Sequence, residues 1–128
     1  MLLVETYVDK SPIHGMGLFA KEKILKGTVI WQFEPTFDQK FLIEEINKLP
    51  KAAQNQIFHY GYLSNESPCY ILCADNARFF NHSTTPNVID DDSEEGLVLA
   101  ARDILPGEEL TCDYWEFDAD TNYKLGKS

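Results

Sequence analysis

The residues best suited to chemistry in this chain cluster at 77–87, reading Ala77-Arg78-Phe79-Phe80-Asn81-His82-Ser83-Thr84-Thr85-Pro86-Asn87. Two aromatics run directly into Asn81-His82-Ser83. Burying Phe79 and Phe80 draws the adjacent polar groups inward, and buried polar groups need partners. Those partners are other backbone segments or a ligand. An Asn side chain both donates and accepts, as backbone amides do, so Asn81-His82 could read the edge of a purine ring. Read as structure only, the same pair is a satisfied polar turn followed by a core histidine. Gly15-Met16-Gly17 is a second candidate, because backbone without a Cβ can approach a ligand closely. It lacks the third glycine and the strand-to-helix setting of a dinucleotide fingerprint, and a bulge in a strand explains it as well. Tyr114, in Glu108-Glu109-Leu110-Thr111-Cys112-Asp113-Tyr114, is the third. Its phenol could orient or polarise a nucleophile, although a tyrosine on a terminal strand is also an ordinary core or interface residue. Cys69, Cys73 and Cys112 lie far in sequence from His14, His59 and His82, so a Cys–His nucleophile draws no support.

Short extended segments must position these residues. Residues 2–8 read as a strand, broken at Lys10-Ser11-Pro12. Residues 13–20 carry the two glycines into an apolar strand. After a turn at Lys26-Gly27, residues 28–33 form a β-branched and aromatic strand that Glu34-Pro35 ends. From 41 to 60 the period changes: Leu42, Ile46, Leu49, Ala53 and Ile57 recur at three- and four-residue steps, a helical face. Pro50 should divide it into two short helices. Residues 60–63 return to extended chain, 64–68 form a loop and 70–73 a brief strand. Residues 87–89 and 97–101 read as a hairpin with an acidic solvated tip at 90–96. Pro106-Gly107 makes a tight turn, and 110–115 is the last strand. The tail, 116–128, is polar with two aromatics and is expected to order on binding. No internal repeat, low-complexity segment or linker divides the chain. The fold class expected is mainly β with a short helical insertion, in one domain spanning 1–128.

The whole-chain balance narrows the function. The 128 residues carry 11 basic and 21 acidic side chains, a net charge of -10. Bulk charge therefore argues against direct nucleic-acid binding. It suits attraction of a basic partner, such as a lysine-rich peptide, or plain solubility. Three cysteines without framework spacing suggest reduced thiols in a reducing compartment, and Cys69 and Cys73 lack the companions of a zinc site, so no metal is expected. The N-terminus is charged too soon for a signal peptide, and no apolar run reaches membrane-spanning length. A cytoplasmic or nuclear location is expected, with a secreted effector left open.

Taken in order and spacing, four blocks resemble the SET-domain protein lysine methyltransferases. They are Ser11-Pro12-Ile13-His14-Gly15-Met16-Gly17-Leu18-Phe19-Ala20, Lys26-Gly27, Arg78-Phe79-Phe80-Asn81-His82-Ser83 with Pro86-Asn87, and Gly107-Glu108-Glu109-Leu110-Thr111-Cys112-Asp113-Tyr114. The first and last look most like trithorax-type members. The resemblance covers 11–115, leaving 116–128 as a tail and candidate lid. It implies a β-clip SET domain in which the Asn81-His82 segment threads beneath a loop from the chain's end, a pseudoknot. It implies S-adenosylmethionine as methyl donor, with His14, Met16 and Gly17 at its methionine end and Asn81 and His82 at the adenine and nearby moieties. Tyr60 resembles an aromatic cofactor contact, with Tyr62 the alternative match. Tyr114 matches the catalytic tyrosine. Cys112, Trp115 and Phe117 would line the substrate channel. The implied partner is a basic lysine-containing protein or peptide, histone or other, with a role in chromatin regulation; a homodimer is a further option.

The chain also departs from that family. Thr84-Thr85 follow Asn-His-Ser where relatives often carry a cysteine, and no cysteine follows Cys112, so the zinc-binding post-SET module is missing. Trp115, Phe117 and Tyr123 are the aromatics left to close the channel. Phe33 replaces the usual tyrosine, Pro35 stands where a glycine is usual, and Cys112 occupies a position that often carries Phe or Tyr and influences the degree of methylation. The competing function is a catalytically weak SET-like module that binds basic peptides or a partner protein.

Overall fold

The computed structural model describes residues 1–64, 69–91 and 96–114. The strands are short and fall into small sheets. β1 (Thr6–Lys10) and β2 (Met16–Ala20) form an antiparallel hairpin, with Tyr7 stacked on Phe19 at 5.4 Å. β3 (Val29–Gln32), β8 (Val88–Asp90) and β9 (Leu97–Ala100) form an antiparallel sheet in the order β3-β9-β8. β4 (Gln39–Leu42), β5 (Tyr62–Leu63) and β6 (Cys69–Leu72) form another, in the order β4-β6-β5. The last sheet pairs β7 (Asn81–His82) in parallel with β10 (Thr111–Cys112).

The mainly β reading with a short helical insertion agrees with this architecture. Pro50 divides the helical stretch as expected: α1 is Ile43–Ile46, α2 is Lys51–Tyr60, and Pro50 itself is the N-cap of α2. Proline suits that place because no intrahelical bond is asked of its nitrogen. The helical reading of 41–42 does not hold. Phe41 and Leu42 belong to β4, which pairs with β6, and Leu42 is exposed. Its four-residue step to Ile46 mimicked a helical face while strand pairing set the backbone. The first strand also lies later than expected, at Thr6–Lys10, and Leu2 makes only an isolated bridge to Trp31. The last strand is shorter than 110–115, because its partner β7 offers two residues for pairing.

Two apolar clusters hold the sheets. The larger contains Leu18, Ile30, Val88, Ile104 and Leu110, all fully buried, with Phe79 and Phe80 packed against it. The smaller joins Ile46, Ile57 and Tyr70 with Phe41 beside them, fixing the helical insertion to β6. Burying side chains of this size gains roughly 1.5–3 kcal/mol each. The segment before β10 runs antiparallel along β2: Leu110 N–H donates to Leu18 O at 2.7 Å and Ala20 N–H to Glu108 O at 2.9 Å. The chain then turns to lie beside β7. This double pairing carries the Thr111-to-Tyr114 stretch from the hairpin to Asn81-His82. Threading of the chain's end, and the expected channel aromatics Trp115, Phe117 and Tyr123, lie outside the described residues.

Candidate active site

The 77–87 segment is built to present Asn81. Asp75 caps a 3-10 turn at Asn76–Phe79, its carboxylate accepting from Ala77 N–H at 3.0 Å. Phe79 and Phe80 then anchor the chain, as their apolar character predicts. Asn81 follows, 7 % exposed. Its Nδ2 donates to the carbonyls of His14 and Met16, at 3.1 and 3.2 Å, and to Glu109 Oε2 at 2.8 Å. One buried amide thus joins the glycine loop to the C-terminal motif.

Glu109 is the partner that sequence reasoning did not single out. Its carboxylate accepts from Ser11 Oγ at 2.8 Å as well as from Asn81. It also explains Gly17: a Cβ there would collide with the Glu109 carboxylate and meet Ser11 Cβ at 3.0 Å. The absent side chain makes room for a protein group. Gly15 differs. Its φ of +49° lies in the left-handed region that favours glycine, and a Cβ there would meet nothing within 4 Å. The backbone at Gly15 is therefore the part of the loop open to close approach. His14 and Met16 are exposed beside it, their carbonyls turned to Asn81.

Pro86-Asn87 holds the exit of the segment, and Asn87 does so with its amide. Nδ2 donates to Glu109 O and Oδ1 accepts from Thr111 N–H, both at 2.8 Å. The side chain brackets Leu110 and sets the register of β10 against β7. That register delivers Tyr114 to His82. Tyr114 N–H donates to His82 Nδ1 at 3.1 Å, and the two rings lie 5.3 Å apart. The Asp113 carboxylate also approaches Nδ1, at 3.7 Å. The shorter bond from Tyr114 N–H decides between them, because it needs a lone pair on Nδ1, which puts the ring proton of a neutral imidazole on Nε2. Tyr114 Oη donates to Phe80 O at 2.9 Å.

Tyr114 and Phe80 lie on the wall of a cavity of about 120 Å³. Tyr60, Tyr62, Trp31 and Cys112 also line it. Arg78 joins them: its guanidinium sits 5.4 Å from the Tyr60 ring centroid and its Nη2 donates to Cys73 O at 2.9 Å. Arg78 stood in the motif block without an assigned role; its position three residues before Asn81 was the available signal. Cys73 lines the same cavity, and burial, with the Asp38 carboxylate adding to it, pushes its thiol up to about 12. A thiol so hard to ionise is no nucleophile at neutral pH, which disposes of Cys73 as the centre of thiol chemistry.

The sequence-expected residues thus fall into two groups that meet at the Asn81-His82 step. His14 and Met16 meet Asn81 directly through their carbonyls, and Gly17 meets it by way of Glu109. Tyr60, Tyr114 and Cys112 gather around the cavity, with His82 joined to Tyr114. An Asn-His step paired in parallel with a short strand that a tyrosine follows two residues later, among small sheets, defines a class. The SET-domain family model matches residues 15–115, and the chain belongs to the SET-domain family.

Similar proteins include human histone-lysine N-methyltransferase 2D, 27 % identical over 125 residues, covering 93 % of this chain and 2 % of that protein. Human histone-lysine N-methyltransferase 2B is 32 % identical over 112 residues, covering 84 % of this chain and 4 % of that protein. The chain therefore spans only a few hundredths of the length of these relatives. Among solved structures, the Polycomb Repressive Complex 2 of Chaetomium thermophilum bound to GSK126 aligns over 96 % of this chain and 17 % of that chain, with a TM-score of 0.66 and 22 % identity. That likeness establishes the fold.

Proposed function

We propose that this chain transfers a methyl group from S-adenosylmethionine to the side-chain amine of lysine in a basic protein. Histones, the substrate in the relatives' names, are the first to test. The observation that carries the reading is the Tyr114 hydroxyl, held 2.9 Å from Phe80 O on the cavity wall and directly beside Asn81-His82.

The residues present fit the donor. Gly15 leaves open space at the loop that Asn81 pins, and Tyr60 and Phe80 offer aromatic surface. His14, Met16, Gly17, Tyr60, Asn81 and His82 would hold it, with Arg78 added. When bound, S-adenosylmethionine supplies an electrophilic methyl group on a sulfonium. The chain's own tasks are alignment and electrostatics. Tyr114 Oη has its proton committed to Phe80 O, so toward the cavity it presents acceptor lone pairs. It can take an amine N–H and orient the nitrogen lone pair. A free lysine has a pKa of about 10.4 and must enter as the neutral amine. The apolar walls and the Arg78 guanidinium both disfavour its charged form. The net charge of -10 attracts the basic protein that carries the lysine.

On this reading residues 11–115 form the domain core, with Cys112 on the substrate channel; Trp115, Phe117 and the rest of the tail lie outside the described residues. The protein would work inside the cell, in cytoplasm or nucleus, where its substrate and reduced thiols coexist. Because Tyr114 keeps its place beside Asn81-His82, an enzyme is favoured over a module that only binds basic peptides. The test is incubation with isotope-labelled S-adenosylmethionine and core histones, followed by mass spectrometry of lysines. Label on lysine, lost by at least ~100-fold in Tyr114→Phe, is expected, as for an interaction made in the transition state. Unlabelled protein across a panel of basic substrates, or full activity in Tyr114→Phe, would overturn it.

A further inference from the structure

Ser11 follows β1 directly, and its hydroxyl is used to full capacity. A hydroxyl has one proton to give and two lone pairs. Ser11 Oγ donates to Glu109, 2.8 Å from each carboxylate oxygen. It accepts from Ile13 N–H at 3.0 Å and from His14 N–H at 3.4 Å. The Ser11 N–H donates to Gly15 O at 2.8 Å and closes the loop. Residues 12–16 are exposed, so packing does little to fix them.

Glu109 is the fixed post to which this loop is tied. Its backbone bridges Phe19 of β2, its carbonyl takes the Asn87 amide at 2.8 Å, and its carboxylate takes Asn81 Nδ2 at 2.8 Å. Asn81 Nδ2 in turn reaches His14 O and Met16 O. A closed circuit results, running from the Ser11 hydroxyl through the Glu109 carboxylate and the Asn81 amide to His14 and back to Ser11. His14 is thus held at its N–H by Ser11 and at its C=O by Asn81. We propose that Ser11 is a positioning residue for the methyl donor: its bond to Glu109, rather than the local turn, sets the His14-Gly15 backbone against Asn81 and so governs donor affinity. This deepens the methyltransferase reading above and rests on it.

Chemistry separates the two roles of the hydroxyl. The bond to Glu109 is part-buried and ends on a carboxylate, and such bonds are stronger than neutral ones. The bonds from Ile13 and His14 N–H are exposed, so water replaces a lost acceptor there. An Asp side chain closes the same kind of local turn as Ser, but here it would set one carboxylate against another. Ser11→Asp therefore keeps the turn and breaks the tie, whereas Ser11→Ala removes both. With Glu109→Gln added to Ser11→Asp, the glutamine amide can donate to the new carboxylate while its oxygen accepts from Asn81. The double variant rebuilds the circuit with the charge on the opposite side.

Titration calorimetry with S-adenosylmethionine, which needs no activity, and steady-state kinetics on core histones measure the set. Ser11→Ala should weaken donor binding and raise the donor KM by about three- to tenfold, the equivalent of one hydrogen bond, and Ser11→Asp by at least ~10-fold. The histone KM, and kcat at saturating donor, should stay close to wild type. Ser11→Asp/Glu109→Gln should recover most of the lost affinity. Wild-type affinity in Ser11→Asp would show that the turn suffices and overturn the proposal. Wild-type affinity in Ser11→Ala would do the same, and decides the matter should the charged variant not fold. A folded double variant that recovers nothing overturns the tie to Glu109. Losses in kcat and histone KM that parallel the loss of donor affinity would mark a general loosening and overturn the positioning role. All of these leave the methyltransferase reading standing. A wild type that binds no donor at millimolar concentration removes that reading, and this inference with it.

Discussion

Asn87→Ala tests how the site is held. The Asn87 side chain is buried and bonds both peptide groups that flank Leu110, to Glu109 O and from Thr111 N–H, each at 2.8 Å. Alanine leaves both backbone groups without their partner. Each buried unsatisfied group costs about 1–3 kcal/mol, so the pair should cost about 2–6 kcal/mol. A domain of this size is stable by ~5–15 kcal/mol in total, so the loss is large. At roughly 4 °C per kcal/mol, Tm should fall by ~8 °C or more. Asn87→Asp retains the acceptor for Thr111 N–H but sets an oxygen against Glu109 O, and should fall between alanine and wild type. Urea denaturation followed by circular dichroism measures all three. A loss below about 1 kcal/mol in Asn87→Ala, with an unchanged m-value, would refute the claim that this amide fixes the register of β10 on β7.

Two further outcomes follow from neighbouring groups. Glu109→Gln keeps one acceptor but loses the charge that Ser11 Oγ and Asn81 Nδ2 share; hydrogen bonds to charged groups contribute about 1.5–3 kcal/mol, so a loss of that order is expected by urea denaturation, and wild-type stability would contradict the bridging role. Cys73 titrates near 9.0 when unfolded and near 12 when folded. The native state keeps its proton through that window while the unfolded state loses it, so stability is full below pH 9 and falls as pH rises toward 12, by ~1.4 kcal/mol per unit from this group. Cys73→Ala should flatten the alkaline limb of stability against pH, and parallel limbs for the two proteins would contradict the burial argument.

Much of this was legible because composition and punctuation speak directly. Pro50 marked the break between α1 and α2, the β-branched run marked β3, and Phe79-Phe80 announced an anchored segment. β4 was not legible, since Phe41 and Leu42 fit a helical step and only the edge of β6 shows them to be a strand. The parallel pairing of β7 with β10 joins residues about thirty apart over two positions, too short for any periodicity. Gly17 was read as room for a ligand, whereas the room belongs to Glu109, a charged side chain 92 positions away in a motif whose tyrosine drew the attention. Trp31 looked like one more strand aromatic; its unpartnered N–H appears only once the cavity is assembled.

In the proposed function Asn81 organises the donor site, and titration calorimetry with S-adenosylmethionine tests that most directly. Wild type and Tyr114→Phe should bind with similar affinity, because in the proposed reaction the tyrosine hydroxyl serves the transfer. Asn81→Ala, which releases the His14 and Met16 carbonyls together with Glu109, should lose binding by at least ~10-fold, the equivalent of one buried hydrogen bond left unmade. Failure of wild type to bind at millimolar donor, or equal binding by Asn81→Ala, would contradict it.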